Sequence, residues 1–134
     1  MIAGLLMFFL ILPEMGTPSR VPVSSDEDAS FVGVWKGASV CQIKDSSCHD
    51  EASVYYVSKG AEADTFRVNG NKVVGGKEVS MGTLTCKAGS AAGSYICRSD
   101  EVTVWSWRLN QDVLDGELQY RGQLYRKIHL MRAK

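Results

Sequence analysis

Four cysteines and two histidines are the residues of this 134-residue chain with chemistry beyond that of ordinary acids and bases. His49 follows Cys48 directly, which puts a base beside a thiol. Neighbours along a strand point to opposite faces, however, and an oxidised cysteine is no nucleophile. Asp50-Glu51 and Asp100-Glu101 are adjacent acids at expected turns, where they are solvated rather than paired for general acid–base work. No Gly-x-Ser-x-Gly, phosphate-binding glycine loop or His-Glu-x-x-His is present. The expectation is a protein that is not an enzyme and has no catalytic residue.

The cysteines frame two short stretches. Cys41 and Cys48 enclose the polar turn 42–47, and Cys86 and Cys97 enclose a loop rich in Gly, Ser and Ala. Four cysteines allow three connectivities. The two local ones, 41–48 and 86–97, are expected because each joins the ends of one predicted turn. Each would contribute roughly 2–3 kcal/mol in the chain-entropy model. A zinc site on the cysteines and His49 is the alternative, but no Cys-x2-Cys spacing supports it, and an oxidising compartment disfavours thiolates. Neither a metal nor a cofactor is expected.

The remaining chemistry is aromatic. Trp35, Tyr56, Phe66, Trp105, Trp107 and Tyr120 are candidates to line an apolar pocket. The competing reading is that they fill the core, where aromatic groups dominate. Two functions follow from these readings. One is a binding module for a small apolar or aromatic ligand. The other is a protein-interaction barrel, such as an envelope-associated inhibitor, whose turns or N-terminal arm engage a partner.

Strands must position these residues. In 31–41, Gly33, Trp35, Gly37, Ser39 and Cys41 share one face. Ala52 to Ser58 is the second strand, with Val54 and Tyr56 on one face and Ser53, Tyr55 and Val57 on the other. Residues 64–74 form one strand with a bulge at Gly70, and Gly75-Gly76 is a tight turn. Lys77 to Cys86 pairs back, followed by strands at Ser94 to Arg98, Val102 to Leu109, Asp112 to Tyr120 and Gln123 to Met131. Trp105 and Trp107 share a face, as do Leu124, Arg126, Ile128 and Leu130. No stretch has sustained helical periodicity. The pattern predicts an all-β fold: about eight antiparallel strands, mostly in meander order, forming a small barrel with two local disulfides.

Length and charge set further bounds. Ile2 to Leu12 is an apolar run of eleven residues, too short to cross a bilayer as a helix. It fits the core of a secretory signal, although no Lys or Arg precedes it and no Ala-x-Ala site follows. We expect a targeting segment and linker over 1–24, an acidic linker over 25–30, and one domain over 31–134. The mature chain should hold no integral membrane segment and should be secreted or periplasmic, as a monomer. Fifteen basic and fifteen acidic residues balance to zero, so bulk charge does not call for nucleic acid. The basic residues of 121–134 read as a solvated last strand.

Gly33-Val34-Trp35, near the start of an all-β domain, resembles the Gly-x-Trp of the calycins. That group holds lipocalins, fatty-acid-binding proteins, avidins and small bacterial protease inhibitors. The chain also resembles small exported bacterial proteins of unassigned function. It is shorter than a typical lipocalin and lacks that family's C-terminal helix. The resemblance implies a barrel in which Gly33 and Trp35 close one end under an arginine from the last strand. Arg126 is the candidate for that arginine and Arg132 the fallback. It also implies one remote alternative, since some short calycins bind haem through a histidine near the C-terminus. His129 has that position, but alternation places it outward.

Overall fold

The structure is a computed structural model and describes residues 30–134. The targeting segment expected over 1–24, and all but Ser30 of the linker expected over 25–30, lie outside the described residues. Eight strands follow in order: β1 Gly33–Cys41, β2 Glu51–Lys59, β3 Thr65–Val74, β4 Lys77–Ala88, β5 Ser94–Arg98, β6 Thr103–Asn110, β7 Val113–Tyr120 and β8 Gln123–Arg132. Each pairs antiparallel with the next, and β1 also pairs with β8, which closes the barrel. Two-residue turns make the meander possible. At Gly75-Gly76 both residues have positive φ (57° and 77°), the conformation that matches the right-handed twist of a hairpin.

Both disulfides are the local ones, Cys41–Cys48 and Cys86–Cys97, so no thiolate remains for zinc. Cys86 and Cys97 are direct partners across β4 and β5, and both are fully buried. Among the described residues, no helix is long and apolar enough to cross a membrane.

Antiparallel order sends alternate turns to opposite ends of the barrel. The end holding residues 60–64, 89–93 and 111–112 is closed. Phe31 plugs it, stacked on Tyr95 at 3.9 Å between ring centroids and edge-on to Phe66 at 5.1 Å. Trp35 lies there too, fully buried, its Nε1 donating to the Phe31 carbonyl at 3.1 Å. The interior above is filled by two aromatic groups resting on glycines. Trp107 lies over Gly116 and Tyr55 over Gly70, and a Cβ at either glycine would collide with the ring, at 2.4 Å and 2.9 Å respectively. The two rings meet edge to face at 5.1 Å.

Two expectations need correction. β2 presents Ser53, Tyr55 and Val57 to the interior, so Tyr56, expected as a pocket-lining candidate, is not on the inward face. The register decides this: Tyr55 is the direct partner of Trp35, so it shares the inward face. Tyr56 points outward, where its hydroxyl donates to Glu78 at 2.8 Å. The arginine over Trp35 is Arg132, not Arg126, because Trp35 pairs with Arg132 and Cys41 with Arg126.

The bulge expected at Gly70 is present as a register shift between Gly70 and Asn71. Gly70 pairs with Gly82 and Asn71 with Ser80, so Met81 of β4 is the extra residue. Lys77 to Leu84 of β4 run past the end of β5, which pairs only with Thr85 to Ala88. The opposite end of the barrel is therefore open on the β4 side.

Candidate functional site

A cup of about 270 Å³ occupies the open end. Its apolar wall comes from Tyr55 of β2, Met81 and Leu84 of β4, Trp105 of β6 and Leu118 of β7. Glycines at 70 and 82 leave the space. Polar side chains also line it, among them Ser39, Glu51, Tyr55 and Arg126. Alternation puts Ser39 and Arg126 inside, since they lie on the same faces as Trp35 and Ile128.

Arg126 organises the polar side. Its Nη1 donates to Ser39 Oγ at 3.2 Å and to the His49 carbonyl at 3.0 Å. Its Nη2 faces Glu51 Oε1 at 3.6 Å, an ion pair wider than a hydrogen bond. Both side chains are largely buried, 14% and 22% exposed. The loop 42–50 is built to hold this arrangement. The Cys41–Cys48 disulfide staples it, and Asp50 Oδ1 accepts from the Cys41 N–H at 2.9 Å. The adjacent acids Asp50 and Glu51 thus have separate tasks, one fixing the loop and one facing Arg126.

The Tyr55 hydroxyl makes no hydrogen bond among the described residues. Burial pushes its pKa up to about 12, with Arg126 pulling it down and Glu51 pushing it up. The hydroxyl is therefore a neutral donor at any physiological pH. At the mouth, Asp100 ties the β5–β6 turn by accepting from the Val102 and Thr103 N–H groups at 2.8 and 2.7 Å. Those bonds, that to Val102 first, hold its carboxyl below the usual range.

A larger hollow of about 700 Å³ lies outside the barrel, across β5 to β8 and β1. Small residues at Ala38, Ser94, Ser106 and Gly116 shape it, and charged side chains of Arg108, Asp115, Glu117 and Lys127 rim it. His129 lies there, bonded to Asp115 at 2.5 Å and well exposed. Solvated charges on one sheet face make a weaker binding site than an apolar interior with convergent polar groups. His129 does not reach the cup, which removes the ground for a haem ligand inside the barrel.

The six aromatic candidates separate. Trp105 lines the cup. Trp35, Phe66 and Trp107 are core, between 0% and 2% exposed. Tyr56 faces outward, and Tyr120 stands exposed at the rim, edge-on to Tyr125 at 6.4 Å. Sequence reasoning missed Tyr55 and Glu51, and it gave Arg126 the task that Arg132 performs. For Tyr55, parity groups it with Ser53 and Val57 but does not say which face of the strand is buried. For Glu51 there was no signal.

The fold and site define a small disulfide-stapled, eight-stranded meander barrel with one plugged end and one open end. No protein-family model matches the chain, and no curated protein matches it either.

Proposed function

We propose that this barrel is an exported, non-catalytic binding module, calycin-like in design, whose open-end cup receives a small molecule with an apolar or aromatic body. The observation that carries this reading is the cup itself: an apolar interior space with a few converging polar groups, among them two without a hydrogen-bond partner. At about 270 Å³ it suits a ligand of one or two rings better than a long-chain lipid or a porphyrin. Two disulfides suit an oxidising compartment, and the apolar run at 2–12 suits export.

The experiment is a titration with naphthalene-sized probes followed by NMR and tryptophan fluorescence. Shifts at Trp105, Tyr55 and Leu118, with Trp35 unmoved, support the reading. Probes that perturb no cup residue overturn it.

A second reading is favoured by one specific feature. Val74, Val79, Met81, Val102 and Tyr120 are exposed apolar groups, all near the open end, and β4 has a free edge beside them. A protein partner could use that edge by adding a strand. Lys77 and the bulge at Met81 are, however, devices that discourage such pairing.

A further inference from the structure

The cup's only charged lining residues are Arg126 and Glu51, which makes it neutral as a whole. The pair stands 3.6 Å apart, too far for a mutual hydrogen bond, so each partner keeps hydrogen-bonding capacity. Arg126 spends only Nη1 on Ser39 and His49. Its Nε has no acceptor among the described residues, and Nη2 has only Glu51. Glu51 accepts no hydrogen bond among the described residues. A donor and an acceptor therefore sit side by side at one edge of an apolar space. The Tyr55 hydroxyl adds a second, uncharged donor.

We propose that the cup selects neutral, planar molecules carrying a hydrogen-bond acceptor and a donor side by side, such as aromatic amides and lactam-type heterocycles, over acids and amines of the same shape. This rests on the binding reading above. The ligand carbonyl accepts from Arg126, the ligand N–H donates to Glu51, and the ring packs on Trp105 and Leu118.

The physical reason is the cost of a net buried charge. A carboxylate ligand gains Arg126 but meets the Glu51 carboxylate beside it, in surroundings that screen poorly. An ammonium ligand meets Arg126 in the same way. Either one leaves the cup with an uncompensated charge. An amide makes both contacts and leaves the ion pair's balance intact. Sites that pair both a donor and an acceptor on the ligand discriminate strongly, because the wrong ligand leaves a buried group unmatched.

The test compares 2-naphthamide, 2-naphthoic acid and 2-naphthylmethylamine at pH 7, with affinity read by tryptophan fluorescence and location by NMR. The amide should bind at least about tenfold tighter than either charged analogue. In Glu51→Gln, with its fold checked by circular dichroism, Arg126 loses its counter-charge, so the acid should overtake the amide. Acid binding at least as tight as amide binding in the native chain overturns the selectivity but leaves the binding reading standing. An unchanged order in Glu51→Gln also overturns the selectivity. If none of the three probes moves a cup resonance, the binding reading falls, and this inference falls with it.

Discussion

Arg132 lies over Trp35, its guanidinium carbon 4.3 Å from the indole centroid, a contact between the first and last strands that only closure brings together. The same guanidinium donates to the Val32 carbonyl at 3.2 Å and to the Ser30 carbonyl, and its Nε donates to Asp112 at 3.0 Å. One side chain thus joins the first strand, the last strand and the β6–β7 turn. A double-mutant cycle on Trp35→Phe and Arg132→Met should give a coupling of about 0.5–2 kcal/mol. The same cycle with Arg126→Met should be additive. Coupling to Arg126 instead would contradict the β1–β8 register.

Tyr55 should make the barrel sensitive to alkali. Its folded pKa of about 12 lies above the ordinary value of 10.0, so the folded state holds the proton longer than the unfolded chain does. The stability it supports is complete below pH 10 and is lost as pH rises through that window toward 12. The loss should reach on the order of 2–3 kcal/mol. Absorbance titration of phenolate should show one tyrosine ionising last, together with unfolding. In Tyr55→Phe that late phase should vanish.

The two tryptophans of β6 should respond differently to truncation. Trp107 is core, so Trp107→Ala should cost about 3–5 kcal/mol in denaturant melts. Trp105 borders the cup and leaves less of a void, so Trp105→Ala should cost clearly less while changing probe affinity. Gly116→Ala tests the same packing from the other side. Its methyl group would stand 2.4 Å from the Trp107 ring, and a loss of about 1–3 kcal/mol is expected. Equal costs for the two tryptophans would mean that the cup is not a cavity.

The disulfides should open in order. Cys86 and Cys97 are fully buried, whereas Cys41 and Cys48 are part-exposed on a surface loop. Mild reductant followed by alkylation and mass spectrometry should label 41 and 48 first. Replacing either pair should cost about 2.5 kcal/mol in the chain-entropy model. Losing 41–48 should in addition weaken probe binding, because the stapled loop presents the His49 carbonyl to Arg126. Labelling of 86 and 97 first would contradict the burial.

Much of this fold was legible in the chain. Alternation marked the strands, Gly75-Gly76 and the cysteine spacings marked turns, and Gly70 marked the bulge, because backbone preference and side-chain period are local properties. A local pattern defines two faces of a strand, but not which face is buried. In Val54-Tyr55-Tyr56-Val57 both faces are apolar, so only pairing with Trp35 sent Tyr55 inward and Tyr56 outward. Arg126 and Arg132 have the same parity on β8, six positions apart, so alternation cannot choose between them. The β1–β8 register chose, placing Arg132 on the indole and leaving Arg126 to face Glu51 in the cup. The cup itself draws residues from seven of the eight strands, with one more from the turn after β5. Such a site exists only once closure has fixed every register, which is why the sequence by itself determined the strands and staples while the tertiary structure alone decided the site.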